Sequence, residues 1–459
     1  MKFIVQASAG EQLKGSPDAS VSRVCSDSRA VQTGDLFVAL AGENFDGHKF
    51  LADAAGKGAA GVMVKRRKRV PELPAACAVI VVDDTRKALG RLAAEYRKDF
   101  SLPIVAVAGS NGKTTTKELI ASVLRQKLNT LWSEASFNND IGVPATLLRL
   151  DNSHQAAVLE AGTNHPGELA PLVQMIRPKY GVITNIGREH LEFFGDVAGV
   201  AQEEGSLAEL LPPDGTLFIN GDDEWAKPIA LRTRATVVRV GTGPDNDWHA
   251  TNIRPARGGV SFRVRAPHKE FNGEFKTGLL GRHQVINALL AMAVGGELGL
   301  GRAEIQRGLA DCQPPKMRLQ LSERNGVRVL DDAYNANADS VVAALQTLQD
   351  LPCKGRRVAV LGDMAELGAH SEAAHEEIGR RAAELGVGQL FAVGSMAAVI
   401  ARGARAAGLN RIFEFDDVAT AAAAIKSFVK AGDIILLKAS RATRLERIAE
   451  LLRTEDAKN

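Results

Sequence analysis

The six residues Gly109-Ser110-Asn111-Gly112-Lys113-Thr114, followed by Thr115, are built for phosphate. Glycines let backbone N–H groups approach phosphate oxygens, and a helix opening at the lysine adds the positive end of its dipole. Lys113 can hold the outer phosphates of a nucleoside triphosphate, and the Thr114 hydroxyl can reach Mg²⁺. The pattern is shorter than the usual G-x-x-x-x-G-K-[ST], because Val107 stands where the first glycine would fall.

Two further residues could join this chemistry. Glu160 ends the apolar run Ala157-Val158-Leu159, and His190 follows Ile183-Thr184-Asn185-Ile186-Gly187. Open α/β sheets bind ligands beyond the carboxyl ends of their strands, so both side chains can face a metal ion near Thr114. The bland alternative for a lone histidine in such a place is a structural hydrogen-bond partner. A cation beside the γ-phosphate would stabilise charge on the transferring group.

The elements that must position these residues follow from periodicity. Apolar runs at 35–40, 62–64 and 78–82 and a helical pattern at 85–99 describe a small α/β unit. A second unit starts near Pro103, with a buried strand at 104–108, the phosphate loop, and a helix carrying Leu119, Ile120, Val123 and Leu124. Strands at 156–159, 181–185 and 236–240 alternate with helices, the layout of a mostly parallel sheet. Alternation between 245 and 280 predicts antiparallel hairpins before a helix at 283–298. Cys312-Gln313-Pro314-Pro315-Lys316 breaks the chain as a hinge. Strands at 327–330, 358–361, 390–393 and 434–437, separated by helices near 340–349, 372–385, 396–407 and 418–430, form a third, Rossmann-like unit.

Bulk properties narrow the class. A chain of 459 residues suggests about three domains. Hydrophobic residues at 45% and charged residues at 24% describe a globular protein. A formal charge of +3 gives no electrostatic footprint for nucleic acid. The basic run Lys65-Arg66-Arg67-Lys68-Arg69 reads as a solvated loop. The four cysteines are scattered, which argues against a disulfide framework or a structural zinc. With no signal-peptide pattern and no apolar run of bilayer-spanning length, a cytoplasmic protein without integral membrane contact is expected.

Several motifs occur together: the loop at 109–115, Phe137-Asn138-Asn139-Asp140-Ile141-Gly142-Val143-Pro144, Glu160 with Gly162, and His190-Leu191-Glu192 with Phe194-Gly195. Gly281-Arg282-His283 through Asn287-Ala288 and Asp331-Asp332-Ala333-Tyr334-Asn335-Ala336-Asn337 follow in order. In this order they resemble the Mur ligases of bacterial peptidoglycan synthesis over nearly the whole chain. Leu361-Gly362-Asp363-Met364-Ala365-Glu366-Leu367-Gly368, with Ser26-Asp27-Ser28-Arg29 and Asp46-Gly47-His48, is most similar to the members that join D-alanyl-D-alanine to UDP-N-acetylmuramoyl-tripeptide. The alternatives within the superfamily are a diamino-acid-adding ligase and a folylpolyglutamate synthase-like enzyme.

The resemblance implies a three-domain α/β ligase. Residues 1–85 would be an N-terminal domain binding the UDP substrate, 86–312 a central ATP-binding P-loop domain, and 313–459 a C-terminal Rossmann-like domain. ATP and Mg²⁺ are the implied cofactors, and a monomer the family default. Lys113, Glu160 and His190 would be catalytic; Gly109, Ser110, Asn111, Gly112, Lys113, Thr114 and Thr115 would cradle phosphate. Asn287 is expected at the adenine, Arg318 as the third domain's arginine after the hinge, and Asp331 and Asn335 toward the ribose and phosphates. Ser28, Arg29, Asp46, His48, Asn138 and Asn139 are expected at the substrate, and Thr114, Glu160 and His190 at the metal. The family usually carries a carbamoylated lysine downstream of the histidine motif. That position falls here on Glu204, which is expected to supply a carboxylate directly, with Glu203 as an alternative. Ala338 and Ala439 replace a common proline and glycine without removing charge.

Overall fold

The computed structural model describes residues 1–42, 45–256 and 258–453, so residues 454–459 of the expected third unit lie outside the described residues. Among these, the strands form three sheets. The first has five strands in the order Glu11–Lys14, Ala78–Val82, Gly61–Lys65, Asp35–Val38 and Arg23–Cys25, parallel except for its first pair.

The second sheet has nine strands, with Ile104–Ala108 between Ala156–Glu160 and Tyr180–Ile183, all parallel. Every residue of Ile104–Ala108 is buried, as expected of a parallel strand covered on both faces. One covering layer is the helix Lys113–Leu124 with the helix Gln284–Glu297. The opposite face carries Leu147, Leu169, Leu172 and Val173. From Ile104–Ala108 the chain runs first to one side of the sheet, through Thr130–Trp132 and Ala156–Glu160, and then returns to the other side at Tyr180–Ile183. That reversal is a topological switch point, where open sheets leave a crevice.

The expected hairpins are Trp248–Ala256, Gly259–Arg265 and Gly273–Thr277, antiparallel to one another. They are not a separate insertion: Trp248–Ala256 pairs with Thr236–Gly241 and extends the same sheet. The third sheet has six strands, with Val327–Asp331, Ile434–Lys438, Arg357–Gly362, Gln389–Val393 and Ile412–Phe415 parallel and Gln320–Arg324 added antiparallel at one edge.

The helix Thr85–Tyr96 serves two cores. Leu89 and Leu92 pack with the five-stranded sheet, while Ala93 and Tyr96 pack against the nine-stranded one. The basic run reads out as an exposed turn after Gly61–Lys65, with Arg66 paired to Glu11 at 3.1 Å and Lys68 to Asp46 at 2.6 Å.

Candidate functional site

The phosphate loop bridges the end of Ile104–Ala108 and the start of Lys113–Leu124. Gly109 (φ 113°) and Gly112 (φ 83°) hold left-handed backbone conformations that disfavour side chains. A methyl at Gly109 would collide with the Thr184 hydroxyl, and one at Gly112 would come within 2.9 Å of Asn287. Gly112 caps the helix without a side-chain bond, leaving first-turn N–H groups available to an anion. The next strand's loop braces the turn: Ser110 N–H donates to the Asn185 carbonyl (2.8 Å), and Asn185 exchanges side-chain bonds with the Asn111 backbone (3.0 and 2.8 Å).

At the end of the strand Ala156–Glu160, Glu160 is buried. Its Oε1 accepts from the Thr114 hydroxyl (3.2 Å) and from Asn138 (2.8 Å), while its Oε2 has no partner among the described residues. Arg318, stacked 4.3 Å over the Tyr334 ring, donates to Thr114 Oγ at 3.1 Å, so the third domain reaches the phosphate loop itself.

Lys113 is folded against the carbonyls of Gly109 and Ser110 and lies 3.3 Å from Glu189 Oε2. Burial favours its neutral form, but Glu189, Glu204 and Glu160 outweigh burial and raise its pKa. His190 sits at φ 49°, opening the short helix Leu191–Phe194. Its Nδ1 is hydrogen-bonded to Glu366 of the third domain, which fixes the ring.

Three more pairs join the domains. Arg188 binds Asp339 and Glu377, each at 2.6 Å, and Asn337 donates to Asn111 Oδ1 at 2.9 Å. These contacts enclose a cleft of about 930 Å³ between the central and C-terminal units. Clefts of that size accommodate nucleotide-sized ligands.

Ser110, Asn111, Gly112, Lys113, Thr114, Thr115, Asn138, Asn139, Glu160, His190, Asn287, Arg318 and Asn335 all line this one cleft. Asn139 also caps the following turn, accepting from the N–H groups of Ile141 (3.1 Å) and Gly142 (2.9 Å). Gly109 is not part of that lining.

Asp331 departs from expectation. As the last residue of its strand it turns to Arg453 (3.1 Å) and the Ala333 N–H, and its neighbour Asp332 faces the cleft instead, paired with Lys438 at 2.6 Å. Successive strand side chains alternate faces, so a one-residue difference reverses the side.

Glu204 is fully buried off the cleft wall, and its Oε2 accepts the Gly109 N–H at 2.7 Å. Burial raises its carboxyl above the ordinary carboxylate range, against the opposing pull of Lys113. Glu203 is spent on structure, accepting from Thr163, Gly167 and Leu169.

Ser28, Arg29, Asp46 and His48 lie on the first unit, away from this cleft. Arg29 pairs with Asp27 at 2.8 Å, and the Ser28 carbonyl accepts from Lys57. His48 uses both ring nitrogens, Nδ1 with Asp46 (2.6 Å) and Nε2 with the Lys65 N–H (3.0 Å).

Glu189, Asp332, Lys438 and Arg188 were not singled out from sequence. Glu189 and Arg188 did carry a readable signal, as charged residues beyond a strand end in the switch region.

Residues fit for a magnesium ion are present. Glu160 offers a buried carboxylate oxygen without a partner beside the Thr114 hydroxyl. Among the described residues no three or more His, Cys, Asp and Glu side chains form a cage able to hold a metal alone. A site of one or two carboxylates completed by phosphate and water oxygens is what magnesium prefers.

Comparison with known proteins places the chain. Three family models match: the Mur ligase family catalytic domain over 20–97, the Mur ligase middle domain over 107–295, and the Mur ligase glutamate ligase domain over 317–441. The chain is 38% identical to a UDP-N-acetylmuramoyl-tripeptide–D-alanyl-D-alanine ligase of Escherichia coli, across 96% of this chain and 95% of that one. It superposes on MurF from Acinetobacter baumannii with a TM-score of 0.89 at 32% identity, covering 99% and 98% of the two chains. MurF ligase from Thermotoga maritima, solved in complex with ADP, matches with a TM-score of 0.81 at 28% identity over 95% and 98%. The chain belongs to the Mur ligase family. Its members are ATP-dependent amide ligases, and the cleft has the parts such a reaction requires.

Proposed function

We propose that this enzyme joins D-alanyl-D-alanine to UDP-N-acetylmuramoyl-tripeptide, giving the pentapeptide precursor of peptidoglycan with ADP and phosphate. The observation that carries the reading is the convergence of phosphate loop, Glu160, His190 and the third-domain residues Arg318 and Asn335 on one cleft. The relatives named for that reaction match along nearly the full chain.

In this reading residues 1–85 hold the uridine nucleotide through the region of Ser28, Arg29, Asp46 and His48. Residues 86–312 bind ATP, and 313–459 close over the cleft. The loop N–H groups and Lys113 orient the triphosphate, Asn287 meets the adenine, and Asn335 meets the ribose side. The tripeptide carboxylate, placed by Asn138 and Asn139, attacks the γ-phosphorus, and ADP leaves. The dipeptide amine then attacks the acyl phosphate carbonyl, a tetrahedral intermediate forms, and phosphate departs. Thr114, Glu160 and His190 would hold Mg²⁺, which when bound stabilises charge on the transferred group. Arg318 and Lys113 supply fixed positive charge on either side of the phosphates. Closure through Arg188 and His190 excludes water that would hydrolyse the acyl phosphate.

Among the described residues no helix is long and apolar enough to cross a membrane. We place the enzyme in the cytoplasm, acting as a monomer on these two small-molecule substrates.

Incubation with ATP, D-alanyl-D-alanine and UDP-N-acetylmuramoyl-tripeptide, followed by mass analysis, tests the assignment. The nucleotide product gains the dipeptide mass less one water. Release of ADP indifferent to the dipeptide, or preference for a free diamino acid or glutamate as the amine, contradicts it.

A further inference from the structure

The cleft holds a carboxylate that the reading above does not use. Glu189 is 7% exposed, lines the cleft, and leaves its Oε1 without a hydrogen-bond partner. Its Oε2 lies between Lys113 Nζ (3.3 Å) and His190 Nε2 (3.9 Å). Buried carboxylate oxygens are costly unless a donor or a cation satisfies them. Glu160 Oε2 is a second such oxygen on the same wall. Glu189, Glu204 and Glu160 all act electrostatically on Lys113.

We propose that Glu189 is a metal-facing carboxylate of the cleft, binding together with His190 a divalent cation that accompanies the nucleotide. The inference rests on the reading of the cleft as a magnesium–ATP site. Two donors bound to one ion at about 2.1 Å each are separated by about 3 Å when adjacent and about 4.2 Å when opposite. The observed 3.9 Å between Glu189 Oε2 and His190 Nε2 falls inside that span. Nδ1 of His190 is already committed to Glu366, which leaves Nε2 as the free ligand nitrogen and orients it. When phosphates draw Lys113 away, Glu189 loses its present partner and the cation replaces it.

Glu204 is the worse placed of the two carboxylates for this task. One of its oxygens holds the Gly109 N–H, and although its Oε1 is, like that of Glu189, buried without a partner, the side chain is not part of the cleft wall. Glu204 is therefore a positioning residue for the loop, and Glu189 is the ligand.

Manganese affinity, read by electron paramagnetic resonance on the full chain with a non-hydrolysable ATP analogue, separates these roles. Glu189→Gln keeps the size of the side chain and removes its charge. It should weaken protein-dependent manganese binding by at least about tenfold, and by more than Glu204→Gln does. Glu189→Asp, which keeps the charge on a shorter arm, should fall between Glu189→Gln and the natural enzyme and serves if Glu189→Gln misfolds. Manganese affinity unchanged in Glu189→Gln or Glu189→Asp, with the natural enzyme binding the ion normally, overturns the proposal alone. If the natural enzyme–nucleotide complex holds manganese no better than the free nucleotide, the magnesium–ATP reading fails and the proposal falls with it.

Discussion

Two polar clusters, one in the interdomain cleft and one in the first unit, differ in how their hydrogen-bonding capacity is spent. Around Asp46 and His48 it is used internally: both imidazole nitrogens are bonded, and Lys68 and His48 hold the Asp46 carboxyl below its ordinary range. Around Lys113 capacity is left over, in the free oxygens of Glu160 and Glu189 and in the first-turn N–H groups of an uncapped helix. Unspent polar capacity at a buried wall marks where a ligand completes the structure. A satisfied cluster supports the fold, and any ligand there must use the backbone and side chains around it.

The largest expected effect comes from the unspent side. Lys113→Ala removes a fixed charge from the transferring phosphoryl group and should lower kcat by about 10³-fold. Lys117, one helical turn on, provides the contrast: it is fully buried and donates to the Ser133 and Ala135 carbonyls at 2.7 and 2.8 Å. Lys117→Met should instead destabilise the fold by about 2–3 kcal/mol, measurable by denaturant unfolding. If Lys113→Ala costs stability and spares kcat, the contrast between the two clusters breaks.

Next in size is the link between domains. Arg188→Ala removes both 2.6 Å ion pairs to the third unit. The side chain is about one-third exposed, so screening reduces its worth to about 1–2 kcal/mol, or roughly tenfold in kcat/KM. Small-angle scattering with the ATP analogue should show a more open particle than the natural enzyme gives. An unchanged scattering profile argues against this closure.

A smaller effect belongs to the satisfied cluster. His48→Ala leaves the Lys65 N–H without its acceptor, while Asp46 keeps Lys68, and should cost about 1–2 kcal/mol of stability. ADP affinity, measured calorimetrically, should stay at the natural value. A loss of ADP affinity would show that the first unit reaches the nucleotide after all.

The smallest concerns pH. Burial lowers the His283 pKa to about 4, below its ordinary 6.5. Between those values the unfolded chain binds more protons than the folded one, so this residue makes stability rise with pH from about 4 to 6.5 and level off above. His283→Gln should flatten that limb of the melting-temperature profile. A limb that keeps its slope assigns it to other groups.

Much of this was legible in the sequence because the chemistry sits at strand ends. Gly109 to Thr115, Glu160 and His190 each follow an apolar run, and a parallel sheet delivers such residues to one edge. What stayed hidden depends on contacts between distant segments. The side of the strand that Asp331 takes cannot be fixed from local pattern, and Asp332 faces the cleft in its place. Glu189 gains its meaning only from Lys113, 76 residues earlier. The edge strands Glu11–Lys14 and Gln320–Arg324 are polar and partly exposed and lack the apolar run that marks their neighbours, whereas the buried apolar strand Thr216–Asn220 escapes notice without that reason.

The most direct test follows an oxygen atom. If the tripeptide carboxylate attacks ATP in this cleft, a substrate labelled with ¹⁸O in that carboxyl must pass one labelled oxygen to the released phosphate for every pentapeptide formed. Mass analysis of the phosphate should find that single label, and Lys113→Ala should reduce label transfer and ligation together. Ligation that yields unlabelled phosphate would contradict an acyl phosphate and, with it, the role assigned to the cleft.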